Sequence, residues 1–205
     1  MTITPQDVNV ALKRAGYDVV FDELSAATST ISVDLARTLL QLLPIDESDD
    51  APINLFFGMV AGKCKSDEVW WLMHSMVSSA KYHGDAFLGL ANGLVESFSW
   101  TADKGEALLA VYLDPSLDDQ RGIFLAALNR FPRAQREDIL KRAALDPVLR
   151  PDVEERLDRQ FRRAGVKKRD PSLDGIFPRS TDRSAVQELS LKISSHRSVG
   201  GVPVT

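Results

Sequence analysis

Apolar residues recur along this chain at a spacing of about 3.6 residues, and helix-starting residues stand ahead of most of the resulting stripes. Thr4, Pro5 and Asp7 supply a cap, a first-position proline and an acidic first turn. They precede the stripe Val8, Ala11, Leu12 and Ala15, and Gly16 is the stop. A short segment follows from Val19 to Ala27. Ser32 caps a stronger stripe of Val33, Leu35, Ala36, Leu39, Leu40 and Leu43, closed by Pro44. The same pattern predicts helices from Pro52 to Cys64, from Ser66 or Asp67 to about Tyr82, from Asp85 to Phe98 and from Thr101 to Leu113. No segment before residue 185 alternates as a strand does, and Ser184 to Ile193 fits a short helix or a short strand. The expected class is all-α: stacked helical hairpins, HEAT-like or an irregular solenoid or bundle, with an extended C-terminal tail.

The later part carries an internal repeat. Leu-Asp-Pro-x-Leu occurs at Leu113, Asp114, Pro115 and Leu117, and again 32 residues on at Leu145, Asp146, Pro147 and Leu149. Each Asp is an expected N-cap and each Pro an expected first helical residue, where its missing N–H costs nothing. The first copy leads into the stripe Ile123, Phe124, Ala127, Leu128 and Phe131. Arg133 to Leu145 then offers Ile139, Leu140, Ala143 and Ala144, and the second copy leads to Val153, Leu157, Phe161 and Ala164, stopped at Gly165. A fixed period of this size, made of paired helices, is a mark of stacked repeats. Residues of about 100–165 resemble short HEAT-like repeats, in which an Asp-Pro turn and a following Arg align successive helix pairs. Asp146, Pro147 and Arg156 match that pattern in kind, and the resemblance implies helix pairs that bury their stripes against neighbours.

Composition adds bounds. With 44% hydrophobic and 26% charged residues, the chain reads as an ordinary soluble globular protein. No apolar run reaches the length of a membrane span, and Met1 to Pro5 lacks the basic start and apolar core of a secretory signal. Cys64 is the single cysteine, so no intrachain disulfide or cysteine-based zinc cluster can form, and a reducing cytoplasm is the expected setting. Residues 1–129 hold 8 Lys+Arg and 18 Asp+Glu, a net of −10, while residues 130–205 hold 17 and 11, a net of +6. The expected organisation is one helical domain over 1–165, acidic to 129 and basic from 130, followed by a basic linker and tail over 166–205.

Catalytic patterns fail on spacing. Gly58 and Gly62 precede Lys63, but a phosphate loop needs four residues between its glycines and a hydroxyl after the Lys; here there are three and Cys64. The expected role of this stretch is a helix C-terminus. His74 and His83 lie nine residues apart, which suits no single-helix metal pair, and His196 lies in the tail. No catalytic, metal or cofactor residue is assigned, and the chain is read as not an enzyme.

Binding candidates remain. Trp70, Trp71 and Trp100 are candidate surface aromatics, since two adjacent Trp cannot both point into one core and aromatics anchor interfaces. With His74, Asp67 and Glu68, and with the acidic loop Asp46, Glu47, Asp49 and Asp50, Trp70 and Trp71 form a protein-binding set for a partner with a basic surface. Arg159, Arg162, Arg163, Lys167, Lys168 and Arg169 form a basic run suited to phosphate. The first expectation is a non-enzymatic protein-binding module such as a bacterial inhibitor, immunity or adaptor protein, a setting reached by association. The second is a nucleic-acid-binding helical-repeat protein using the basic face of 130–169.

Overall fold

The computed structural model of the protein describes residues 3–26, 29–44, 52–79 and 81–163. They form nine α-helices and one long 3-10 helix, and no strand occurs among them. The fold is all-α. The described residues fall into two compact units, one reaching Phe131 and one beginning at Pro132.

Side-chain caps account for half of the helix starts in the first unit, and the Ser66 expected to cap the fifth helix makes no such bond. In α1 (Pro5–Arg14) the Thr4 hydroxyl accepts from the Asp7 amide at 3.2 Å and the Asp7 carboxylate accepts from the Thr4 amide at 2.9 Å. The hydrogen bonds from Thr4 hold the Asp7 carboxyl below its ordinary range. Gly16, at φ +89°, takes the left-handed turn after this helix. α2 (Phe21–Ala26) follows. Ser32 caps α3 (Val33–Leu42) by accepting from the Leu35 amide, and Leu35, Ala36, Leu39 and Leu40 are buried as the stripe requires. Then come α4 (Pro52–Gly62), α5 (Asp67–Val77), α6 (Gly84–Ser97) and α7 (Ala102–Leu113), the last capped by Thr101.

α4 and α6 make the most extensive helix contact in the unit. Gly58 and Gly62 on α4 face Gly89 and Gly93 on α6, and their backbones touch. A Cβ built on Gly62 would stand 2.6 Å from the Gly93 Cα, and one on Gly89 would stand 2.9 Å from the Asn54 carbonyl oxygen. Two glycines one turn apart on each helix allow this approach. The stretch that superficially suggested a phosphate loop is therefore a packing surface ending in a helix C-terminus. α3 packs beside α4, α5 lies on α6 with α3 and α7 as further neighbours, and α1 and α2 pack on α3 and α4.

The first Asp-Pro copy caps as expected but leads to a different helix. The Asp114 carboxylate accepts from the Ser116 amide at 2.9 Å and from its hydroxyl at 2.7 Å, and these bonds hold its carboxyl low. The segment that follows, η1 (Pro115–Arg130), is a 3-10 helix rather than an α-helix. Its buried residues fit either winding: Arg121, Phe124 and Ala127 form one row at spacing three and Leu125, Leu128 and Phe131 the next, while Phe124, Leu128 and Phe131 also share an α-helical face. Its start is fixed by the chain and the local Asp114 cap, and its far end by tertiary contacts. The helix starts directly from α7, and at the far end Arg130 donates to the carbonyls of Val95, Glu96 (3.1 Å) and Phe98 (3.0 Å) at the C-terminus of α6. Sixteen residues span about 32 Å as a 3-10 helix and about 24 Å as an α-helix.

The second unit contains α8 (Arg133–Leu145) and α9 (Arg150–Arg163), which pack together. Asp146 repeats the local geometry of Asp114, accepting from the amide two residues on, Val148, at 2.9 Å. Pro147, however, sits in a turn, and α9 begins three residues later at Arg150, whose Nε donates to the Ala144 carbonyl at 2.9 Å. The expected α8 stripe is buried: Ile139, Leu140, Ala143 and Ala144. Leu140 is 1% exposed, so Leu140→Ala should lower unfolding free energy by about 2–5 kcal/mol in a urea titration. A loss below about 0.5 kcal/mol would show that this stripe contributes nothing.

Candidate protein-binding face on α5 and α7

Trp70, one of the candidate surface aromatics, is fully buried. The reason is geometric. α5 has neighbours on several sides, so its inner stripe is Val69, Trp70, Met73 and Val77, with Leu72 and Met76 only half-buried. The indole N–H, which would make burial costly, donates to the Leu94 carbonyl at 3.0 Å. Phe98 lies against the same ring at 6.0 Å between centroids. Phe98 in turn stacks on Phe131, and Trp100 packs on Phe131 at 4.8 Å. Trp100 is half-buried over Gly105, where a Cβ would overlap its ring.

Adjacent Trp71 points outward and is 40% exposed. Its ring meets Trp70 edge-on at 4.8 Å and His74 edge-on at 5.5 Å. The buried ring thus serves as a fixed base for the exposed one, and an anchor held this way loses little freedom on binding.

His74 stacks on Trp70 with rings 16° from parallel, and its Nε2 lies 3.2 Å from the Ala107 carbonyl oxygen. A carbonyl only accepts, so that nitrogen carries the hydrogen. His74 therefore ties α5 to α7 and is half-buried rather than a free surface group.

Lys104, on the first turn of α7, is 2% exposed, a placement that no spacing rule in the sequence announced. Its ammonium donates to Asp67 at 2.6 Å and to the Ser99 hydroxyl at 3.2 Å, and stands 5.3 Å from the Trp70 ring centre. Three partners compensate the buried charge, one of them an aromatic face. The sequence held one clue: Lys104 sits three residues after the Thr101 cap, in line with buried Leu108 and Val111.

The two ties, His74 to Ala107 and Lys104 to Asp67, set α5 and α7 side by side. On helical geometry, Asp67, Trp71 and His74 occupy the flank of α5 toward α7, and Asp103, Ala107 and Ala110 the flank of α7 toward α5. Asp67 keeps its side chain 72% exposed while holding Lys104. Glu68, further round α5, pairs with Arg37 of α3, both about half exposed. Asp103 and Glu106 are exposed on α7. The face thus combines one large exposed ring with four carboxylates, of which Asp67 is paired with the buried Lys104 and Glu68 with Arg37.

Of the other candidates, Asp46, Glu47, Asp49, Asp50, Lys167, Lys168 and Arg169 lie outside the described residues. Arg159, Arg162 and Arg163 fall within α9. Among the described residues, no group of three or more His, Cys, Asp or Glu is arranged to hold a metal ion. No described helix is long and apolar enough to cross a membrane. Compared with known protein families, curated proteins and solved structures, the chain has no match.

Proposed function

We propose that the chain is a non-enzymatic protein-binding module that takes a basic partner on the α5–α7 face, with Trp71 as its anchor. The observation that carries this reading is the 40% exposure of Trp71 on a helix that also exposes Asp67 and Glu68 and that packs beside α7, where Asp103 and Glu106 are exposed. An exposed indole on a rigid base is the type of residue that dominates interface energies. The surrounding carboxylates, within a segment of net charge −10 over residues 1–129, would steer a basic surface toward it and raise the association rate. Such a protein acts by covering its partner's surface, as inhibitors, immunity proteins and adaptors do.

The test is affinity capture from the native host with the wild-type chain and Trp71→Ala, followed by titration of the captured protein. Trp71→Ala should weaken binding by about 2 kcal/mol or more while stability changes by less than about 1 kcal/mol. Asp103→Lys with Glu106→Lys should mainly slow association. Retention of the same partner at unchanged affinity by Trp71→Ala would overturn the proposal. A nucleic acid recovered instead, bound with a steep salt dependence lost on reversing Arg159, Arg162 and Arg163, would do so as well.

A further inference from the structure

The conformation of η1 is not the one its own sequence favours. 3-10 runs longer than three or four residues are uncommon because their hydrogen bonds are poorly aligned, yet η1 continues for 16 residues. The same residues satisfy an α-helix. Asp114 and Pro115 are a cap and first-position proline in either form. Phe124, Ala127, Leu128 and Phe131 are buried now and also lie on one α-helical stripe, which Leu117, at present half-buried, would extend. Winding to α would bury nearly the same side chains.

We propose that η1 is an element of two lengths: a 3-10 helix stretched between anchors, which rewinds to a shorter α-helix when its C-terminal anchor is released. The N-terminal anchor is α7 and the Asp114 cap. The C-terminal anchor is the Arg130 guanidinium on the carbonyls at the end of α6, with the Phe131 ring stacked 5.3 Å from Phe98. An α-helix of the same 16 residues is about 8 Å shorter and cannot keep both. Rewinding therefore withdraws Phe131 from Phe98 and Trp100 and frees the last carbonyls of α6. Phe131 is the last residue of the first unit, so the change in length falls at the end of that unit.

Spin labels at Leu113→Cys and Asn129→Cys, in a Cys64→Ala background, measure the span directly. The anchored protein should show one separation near about 32 Å. Arg130→Gln, which keeps a polar side chain but cannot reach three carbonyls, should add a population about 8 Å shorter. If Arg130→Gln fails to fold, Phe131→Leu in the same background removes the ring stacking and should give the same short population. A single separation near about 24 Å in the anchored protein would overturn the proposal, because the helix would already be α. An unchanged single distance in folded variants would overturn it too, because the anchors would not be what sets the length.

Discussion

Trp70→Ala should lower the unfolding free energy by about 3–5 kcal/mol, the cost of deleting a large buried ring. Several contacts fail together. The ring is fully buried against His74 and Phe98, and it forms the base on which Trp71 rests. Its N–H is the donor to the Leu94 carbonyl, and its face lies under the Lys104 ammonium. Removing it leaves a cavity and takes one of three partners from a buried charge. Trp70→Phe should fall between the two, because it keeps an aromatic face but loses the N–H. The measurement is a urea titration of both variants. A loss under about 1 kcal/mol for Trp70→Ala would mean that the aromatic cluster is not part of the core.

Gly93→Ala should cost about 2–3 kcal/mol, although alanine is the better helix former by about 1 kcal/mol. The added methyl would overlap the Gly58 carbonyl oxygen and stand 3.1 Å from the Met73 sulfur. The Gly58 oxygen is backbone inside a buried helix and cannot swing aside, so α4 and α6 must separate. Every other contact between these helices is set by that separation, which is why one carbon atom has so large an effect. A urea midpoint equal to or above that of the wild type would show that the two helices are not held at glycine distance.

The helices themselves were legible because their signals are local. Thr4, Ser32 and Thr101 each bond an amide within their own first turn, so nothing distant is needed to place the start. The glycine contact was half legible. Its spacing was visible at Gly58 and Gly62, but a pair on one helix has meaning only once Gly89 and Gly93 are known to face it. η1 went against its pattern because its length is set by where Arg130 and Phe131 must reach, a tertiary demand that no local rule contains. α9 starts late because Asp146 bonds within a turn before the helix is under way.

At the candidate site, adjacency made Trp70 and Trp71 surface candidates but left open that both pack against neighbouring helices, and it did not say which would turn outward. That choice depends on the Leu94 carbonyl being in reach of one indole. Lys104 was missed because a lysine is read as surface unless a partner is seen, and Asp67 is 37 residues away. The charge asymmetry was plain from the sequence, but its concentration around Trp71 depends on α5 and α7 lying side by side.

All three tryptophans of the chain, Trp70, Trp71 and Trp100, belong to the aromatic cluster of the first unit. Intrinsic fluorescence is therefore a local instrument in this protein. It registers the melting of that cluster and is blind to α8 and α9, whereas far-ultraviolet circular dichroism counts every helix. Superimposed curves from the two signals mean that both units unfold in one cooperative step. Separated curves assign the earlier or later transition to a particular unit without any labelling.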